Sequence, residues 1–365
     1  MNSTASSTLR FTSTTTAIGV LRSPESATDG SGNGSGLTAA ATEAPGHGDR
    51  PGSDQDQQQV DATSRAPGTS ERALVLHGGG SAGNAWEIGV IAGLCEAGMD
   101  VTKADLIIGT SAGSTAAAQI TSPTTPTELL ANILAAVPRP RTGSVGAVGG
   151  RVLNVPVPDH MERTSEIIGA AKDAVDMRRR MGAAALEMDV ASGVSGQTQW
   201  RATVAARLPS QHWPQRPLLI VAVDAHTGEP VVFDRHSGVD LVDAVAASCA
   251  NGFGVPPYSI GDSRYIDGGY RRNENADLAA GYRRVLVLSP FGGRSRHPLK
   301  WGMHLAAQVD ELRARGSRVE SIFPDSNSLD AFGVNMMDPS TRPPAARAGH
   351  DQGRALAEQL TEFWN

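Results

Sequence analysis

The stretch from Ala73 to Ile120 constrains the fold more than any other part of the chain. Twice in succession a short apolar run stops at a glycine-rich turn and passes straight into a helical pattern. Ala73 to Leu76 ends at Gly78-Gly79-Gly80-Ser81-Ala82-Gly83. Asn84 to Ala97 then has the length and composition of a helix, with Ile88, Ile91, Ala92 and Cys95 at helical spacing and Gly98 as its stop. Asp105 to Ile108 is the second apolar run. It leads at once into Gly109-Thr110-Ser111-Ala112-Gly113 and a small-residue helix over Ala112 to Ile120. Short continuous apolar runs suit strands buried on both faces. The alternation predicts an α/β fold, a mostly parallel central sheet flanked by helices.

Later segments extend the pattern. Leu218 to Val223 and Val231 to Phe233 read as strands paired across a turn at Asp224–Gly228, and Asp240 to Cys249 as a helix. Tyr258 to Ile266 reads as an extended pair around Gly261-Asp262, and Val285 to Leu288 as a buried strand. Helices near Trp301–Arg315 and Ala345–Phe363 close the chain. Residues 121–215 differ: six prolines, Pro123 to Pro158, precede one long helical segment from Met161 to Met188. This segment is expected to be a helical insertion or cap, with Arg178, Arg179 and Arg180 on a solvated face.

Composition enters at the N-terminus. Residues 1–70 hold 35 Ser, Thr, Gly or Pro and a single aromatic, Phe11. Such a segment buries too little apolar surface to offset its ordering entropy. Residues 1–71 are therefore expected to form a disordered tail and residues 72–365 the folded domain. The net charge is −6, and the tail's four arginines against seven acids leave about half of it in the folded part. That argues against a nucleic-acid partner, which calls for a basic face. Two cysteines, Cys95 and Cys249, are too few for a disulfide framework or a structural zinc site. No apolar run approaches a membrane span, and no signal-peptide core is present. The expectation is a soluble cytoplasmic protein with no metal, any membrane contact being peripheral.

Three motifs carry chemistry. Taken alone, the Gly78–Gly83 block fits an oxyanion loop, a dinucleotide fingerprint through Gly78, Gly80 and Gly83, or a plain turn. Gly109-Thr110-Ser111-Ala112-Gly113 is a G-x-S-x-G between an apolar strand and a helix, the setting of an exposed nucleophilic serine. Gly79 and Ser111 lie 32 residues apart, one helix and one strand. Both turns should then meet at the carboxyl edge of neighbouring parallel strands. There the amides of Gly79, Gly80 and Ala112 are placed to surround an oxyanion. Tyr265-Ile266-Asp267-Gly268-Gly269 ends a strand. Asp267 is either a turn residue or a general base, and burial would raise its pKa toward a useful value.

Together these residues resemble the patatin-like phospholipase family of lipid acyl hydrolases. The glycine block, the G-x-S-x-G serine and the D-G-G aspartate occur in the family's order. Gly89-Val90, Leu94, Asp224, Gly228, Phe233, Ala247-Ser248, Phe253, Pro256-Pro257 and Asn273 also match. The resemblance covers about residues 73–120 and 217–275. It implies a Ser111–Asp267 dyad without catalytic histidine, with Gly78, Gly79, Gly80 and Ala112 as the oxyanion hole. Gly83, Gly109, Gly113, Gly268 and Gly269 support the motifs. A lipid or other acyl ester is the implied substrate, with no cofactor. Ala82 stands where the family often has Lys or Arg, and Asn273-Glu274-Asn275 where it often has N-x-P.

Three other readings stand beside this one. A conventional α/β-hydrolase would use His77-Gly78-Gly79-Gly80 for the oxyanion and His297, His304 or His350 in a triad. The interval from Gly79 to Ser111 is short for that fold. A dinucleotide site needs an acid after the second strand, whereas Asp100 and Asp105 precede it. The third is a non-catalytic relative that only binds lipid. Cys249 is expected to be a buried small hydrophobe.

Overall fold

The computed structural model describes residues 71–136, 157–189, 195–252 and 254–365. The expected tail up to residue 70 lies outside the described residues, as do residues 137–156 and 190–194 of the insertion and Phe253.

Eight strands form one sheet: β1 (Arg72–Leu76), β2 (Leu106–Thr110), β3 (Leu218–Asp224), β4 (Pro230–Phe233), β5 (Tyr258–Ile260), β6 (Ser263–Asp267), β7 (Arg284–Leu288) and β8 (Arg318–Ile322). The hydrogen-bonded path runs β5-β6-β3-β2-β1-β7-β8, with β4 also on β3. The β3-β2-β1-β7-β8 ladders are parallel, and β4, β5 and β6 join antiparallel.

The helices among the described residues are α1 (Gly80–Glu96), α2 (Ala112–Ile120), α3 (Pro126–Ala135), α4 (Val157–Ala170), α5 (Ala174–Asp189), α6 (Ser195–Ala205), α7 (Leu241–Ser248), α8 (Leu305–Ala314), α9 (Ser326–Phe332) and α10 (Arg342–Trp364). They cover both faces of the sheet. Leu74, Leu76, Ile107, Ile220 and Leu286 point into the core shared with α1, α2, α7 and α10. Ala73, Val75, Ile108, Val221 and Val287 point the other way, onto Leu305, Val309 and Leu312 of α8. This two-sided burial is why the strands read as unbroken apolar runs.

Several expectations are corrected. The long helix over Met161–Met188 is two helices, broken at Ala171–Asp173. The Asp173 carboxylate accepts from the Asp176 amide at 2.8 Å, and Asp176 from the Lys172 amide at 3.0 Å. This reciprocal cap starts a new helix. Arg178 is buried rather than solvated, and its Nε donates to the Gly228 carbonyl at 2.7 Å, pinning the β3–β4 turn. Within the insertion, α3 packs on α1 and α10, α6 on α7, and α5 on β6. α3, α6, β8 and α9 have no counterpart among the elements expected from the sequence.

α1 and α10 touch backbone to backbone. A Cβ on Gly89 or Gly93 would lie 2.2 Å from the carbonyls of Ala346 or His350. One on Gly349 or Gly353 would lie 2.4 or 2.3 Å from those of Trp86 or Val90. Four glycines thus set the distance between the first and last helices. Gly93→Ala should cost about 1–3 kcal/mol by overpacking, read as a lower urea midpoint. Gly98→Ala instead meets no atom within 4 Å, and its cost comes only from a backbone φ of +92°.

Candidate active site

Strand register brings the sequence motifs together. β2 pairs with Leu218–Val221 of β3, and β4 with Ile220–Val223. β6 pairs with Ala222–Asp224. One edge of a residue bonds one partner, so β4 takes one edge of β3, while β2 and β6 share the other end to end. β2 climbs to Thr110 opposite Val221, and β6 descends to Asp267 opposite Ala222. The carboxyl ends of the two strands therefore meet, and Ser111 leaves the sheet next to Asp267.

Ser111 has φ 55° and ψ −125°, and besides Asn275 it is the only non-glycine residue at positive φ among the described residues. That conformation costs about 1–3 kcal/mol, and its surroundings hold it. The Ser111 amide donates to Ser248 Oγ at 2.9 Å. Its carbonyl accepts from the Ser114 amide at 2.9 Å, Ser114 Oγ at 2.6 Å and Cys249 Sγ at 3.0 Å. The flanking glycines answer to space. A Cβ on Gly113 would lie 2.2 Å from the Leu76 carbonyl, and one on Gly109 2.6 Å from Ser114 Cα. Cys249 is more than the small hydrophobe expected, since its thiol is a donor to the elbow. Burial pushes that thiol up to about 11, so it stays protonated.

The Ser111 hydroxyl stands beside the Asp267 carboxylate and favours its charged form, and the Gly269 amide donates to Asp267 Oδ1 at 2.8 Å. Asp267 keeps some solvent exposure, yet protein crowds it closely. Desolvation raises its carboxyl to about 6, against the opposing pull of the Ser111 hydroxyl and the Gly269 amide. Gly268 passes so close to β3 that a Cβ would lie 2.2 Å from the Val221 carbonyl.

Asn275 joins the two arms. It is fully buried in the left-handed region at φ 58°. Its Nδ2 donates to Thr110 Oγ1 at 3.0 Å and to the Gly268 carbonyl at 3.1 Å, and its Oδ1 accepts from Arg271 at 2.9 Å. The departure from N-x-P thus supplies a strap. Beside it, buried Glu274 accepts from Ser289 Oγ at 2.9 Å, and burial raises its carboxyl to about 7.

The glycine block lies against the serine. A Cβ on Gly78 would stand 2.9 Å from Ser111 Cβ and 3.3 Å from its Oγ. α1 begins at Gly80 rather than at Asn84, so Gly79 is its N-cap and four of the block's six residues form the first helical turn. Gly79 and Gly83 both abut Pro290. Among the described residues no acceptor takes the amides of Gly78, Gly79, Gly80 or Ala112. The N-termini of α1 and α2 add their dipoles at this point, which suits a developing anion. Ala82 brings no cation, but Arg342 of α10 reaches the block, donating to Asn84 Oδ1 at 2.9 Å and the Ser81 carbonyl at 3.3 Å.

Two histidines of the alternative triad are engaged elsewhere, and the third, His304, is the N-cap of α8. His297 contacts Asn273 and Ser295, and His350 contacts Glu96 at 2.6 Å. His77 is buried against Phe291, ring centroids 5.7 Å apart, and desolvation lowers it to about 3. Asp105 accepts from the Glu71 and Arg72 amides at the opposite edge of the sheet, and Asp100 caps the Val101–Lys103 turn, so neither is placed to hold a ribose.

The strap can be tested by stability. Asn275→Gly keeps the backbone conformation but strands Thr110 Oγ1 and the Gly268 carbonyl, at about 1–3 kcal/mol. Asn275→Ala should lose roughly 1 kcal/mol more for the left-handed backbone. Equal denaturation midpoints for the two variants would contradict the second part.

Sequence comparison agrees with the geometry. The family model described as Patatin-like phospholipase matches residues 74–280. No curated protein matches the chain. Among solved structures, VipD from Legionella pneumophila is 14% identical at a TM-score of 0.39, over 80% of this chain and 67% of that one. The type III effector protein ExoU is 16% identical at a TM-score of 0.35, over 80% of this chain and 53% of its own. With the family's glycine block, serine and aspartate all inside the matched span, this chain belongs to the patatin-like phospholipase family.

Proposed function

We propose that this protein is a lipid acyl hydrolase using Ser111 as nucleophile and Asp267 as general base. The observation that carries the reading is the strand register that sets Ser111 beside a carboxylate raised to about 6. Such a group is largely ionised at neutral pH, yet more basic than a solvated aspartate. Ser111 Oγ attacks the ester carbonyl while its proton passes to Asp267. The oxyanion is met by the amides of Gly78, Gly79, Gly80 and Ala112. Asp267 returns the proton to the leaving alcohol, and the acyl group stays on Ser111. Water then attacks the acyl-enzyme, Asp267 takes its proton, and the fatty acid leaves as Ser111 is reprotonated. Family membership supports a lipid substrate of phospholipase A type. α5, packed on β6 beside Asp267, is suited to line an acyl channel.

A fluorophosphonate probe tests the chemistry through intact mass. Wild type should gain one adduct, Ser111→Ala none, and Asp267→Asn should label about 10²- to 10⁴-fold more slowly. The labelling rate should rise through about pH 6 and level off above it, because only the carboxylate accepts the proton. No adduct on wild type, with lipid still bound, would replace this reading by a non-catalytic lipid binder.

Stability should move the opposite way. The folded protein raises the Asp267 pKa above its unfolded value, so the folded state holds the proton more tightly. Stability from this group then falls as pH rises from about 4 to about 6. Asp267→Asn removes that cost and should melt at a higher temperature than wild type at pH 8.

A further inference from the structure

Seven large apolar side chains are exposed among the described residues. Five of them, Met161, Phe291, Leu299, Val334 and Met337, belong to segments that join the glycine block directly or through the Phe291–Lys300 loop. Phe291 stacks edge-on against His77, next to Gly78. Met337 lies over Gly80, where a Cβ would come 2.6 Å from its sulfur, and the neighbouring Met336 carbonyl holds the Ala82 amide at 2.9 Å. Val334 is fully exposed on the same loop. Leu299, 69% exposed, ends the loop that Phe291 begins. Met161 meets that loop through Arg296, which donates to its carbonyl at 2.6 Å. β1, β2 and β7 are parallel neighbours, so the Phe291–Lys300 loop leaves the sheet at the same edge as Gly78 and Ser111.

The same loop is cationic. Phe291-Gly292-Gly293-Arg294-Ser295-Arg296-His297-Pro298-Leu299-Lys300 has no acid, and none occurs between Asp277 and Asp310. Arg294, Arg296 and Lys300 are exposed, and no carboxylate pairs with them among the described residues. Their polar contacts are neutral: Arg294 Nε to the Phe291 carbonyl, and Arg296 to Met161 and Ser165. The chain as a whole carries −6. A local run of cations interleaved with exposed Phe and Leu therefore stands out against an acidic protein. Cations for phosphate groups beside apolar side chains for the acyl boundary match an anionic lipid surface. Asn273, close after the D-G-G motif, ties the loop to the site, donating to the Arg294 carbonyl at 3.2 Å and accepting from Ser295 Oγ at 3.2 Å.

We infer that the Phe291–Lys300 loop, with the Val334–Met337 loop beside it, docks the protein on an anionic lipid surface and presents Ser111 to it. This rests on the lipid-hydrolase reading for the purpose of docking, but not for the binding itself.

The test uses the full chain carrying Ser111→Ala, so that the vesicles stay intact, in sedimentation with phosphatidylcholine vesicles alone or mixed with phosphatidylglycerol. The protein should partition to the mixed vesicles and be released by high salt. Arg294→Gln and Lys300→Gln should each weaken partition about fivefold, and Leu299→Ser about tenfold. In the Ser111 background, Lys300→Gln and Leu299→Ser should keep wild-type fluorophosphonate labelling, which separates docking from folding and chemistry. Equal binding to neutral vesicles, insensitivity to salt, or unchanged partition in the variants would overturn the inference. So would a loop that buries itself in a dimer, seen as a wild-type dimer that Leu299→Ser converts to monomer without vesicle binding. Vesicle binding with no labelling of wild type would sink the hydrolase reading and leave the surface standing. Labelling without vesicle binding would do the reverse.

Discussion

Everything at the site depends on two strands sharing one edge of β3. β4 closes the other edge over Ile220–Val223, so β6 has no place except beyond the end of β2. Thr110 and Asp267 are then successive neighbours along β3, although more than 150 residues separate them in the chain. The alignment is fixed by backbone hydrogen bonds and not by the site side chains. Gly268 follows from the same geometry, since the chain must turn away directly above the Val221 carbonyl. Asn275 closes the gap by bonding both arms where no ladder bond can reach.

The neighbourhood is built from neutral groups. Cys249 remains a thiol, His77 an uncharged imidazole, and Glu87, buried beneath the glycine block, has its carboxyl held well above the usual range by desolvation. No cation forms an ion pair with Asp267 among the described residues. A carboxylate placed among uncharged groups gains basicity from the missing water alone, which is what the proposed role of Asp267 as base requires. The strained Ser111 backbone is maintained by the same economy: hydroxyls of Ser248 and Ser114 and one thiol satisfy its peptide groups without bringing charge.

The parts legible in the sequence were those with a local cause. Strands buried on both faces show as apolar runs, and the small-residue turns at Gly78–Gly83 and Gly109–Gly113 mark where the backbone must pass close to something. The β5–β6 pair was readable from Gly261-Asp262. β8 was not, because Arg318, Glu320 and Ser321 break its apolar run, and its identity as a strand comes from pairing with β7. The break before α5 depended on Asp173 capping the Asp176 amide and Asp176 reaching back to the Lys172 amide, a pattern easily lost inside a long helical composition. Arg178 looked like surface because two more arginines follow it, whereas its partner is the carbonyl of a distant turn. Ser248 carried no signal of its role. The tolerance of asparagine for left-handed backbone was the one clue at Asn275.

The glycine-lined contact between α1 and α10 bears on biosynthesis. The Met336 carbonyl that holds the Ala82 amide, and the helix that fixes α1, both lie far along the chain from the glycine block. A nascent chain that has already emerged through Asp267 owns the serine and the aspartate but lacks the frame that seats the glycine loop. Contacts between such distant segments form late and in one cooperative step. In a chain arranged in this way the glycine loop is seated only once α10 has been made, later than the serine and the aspartate.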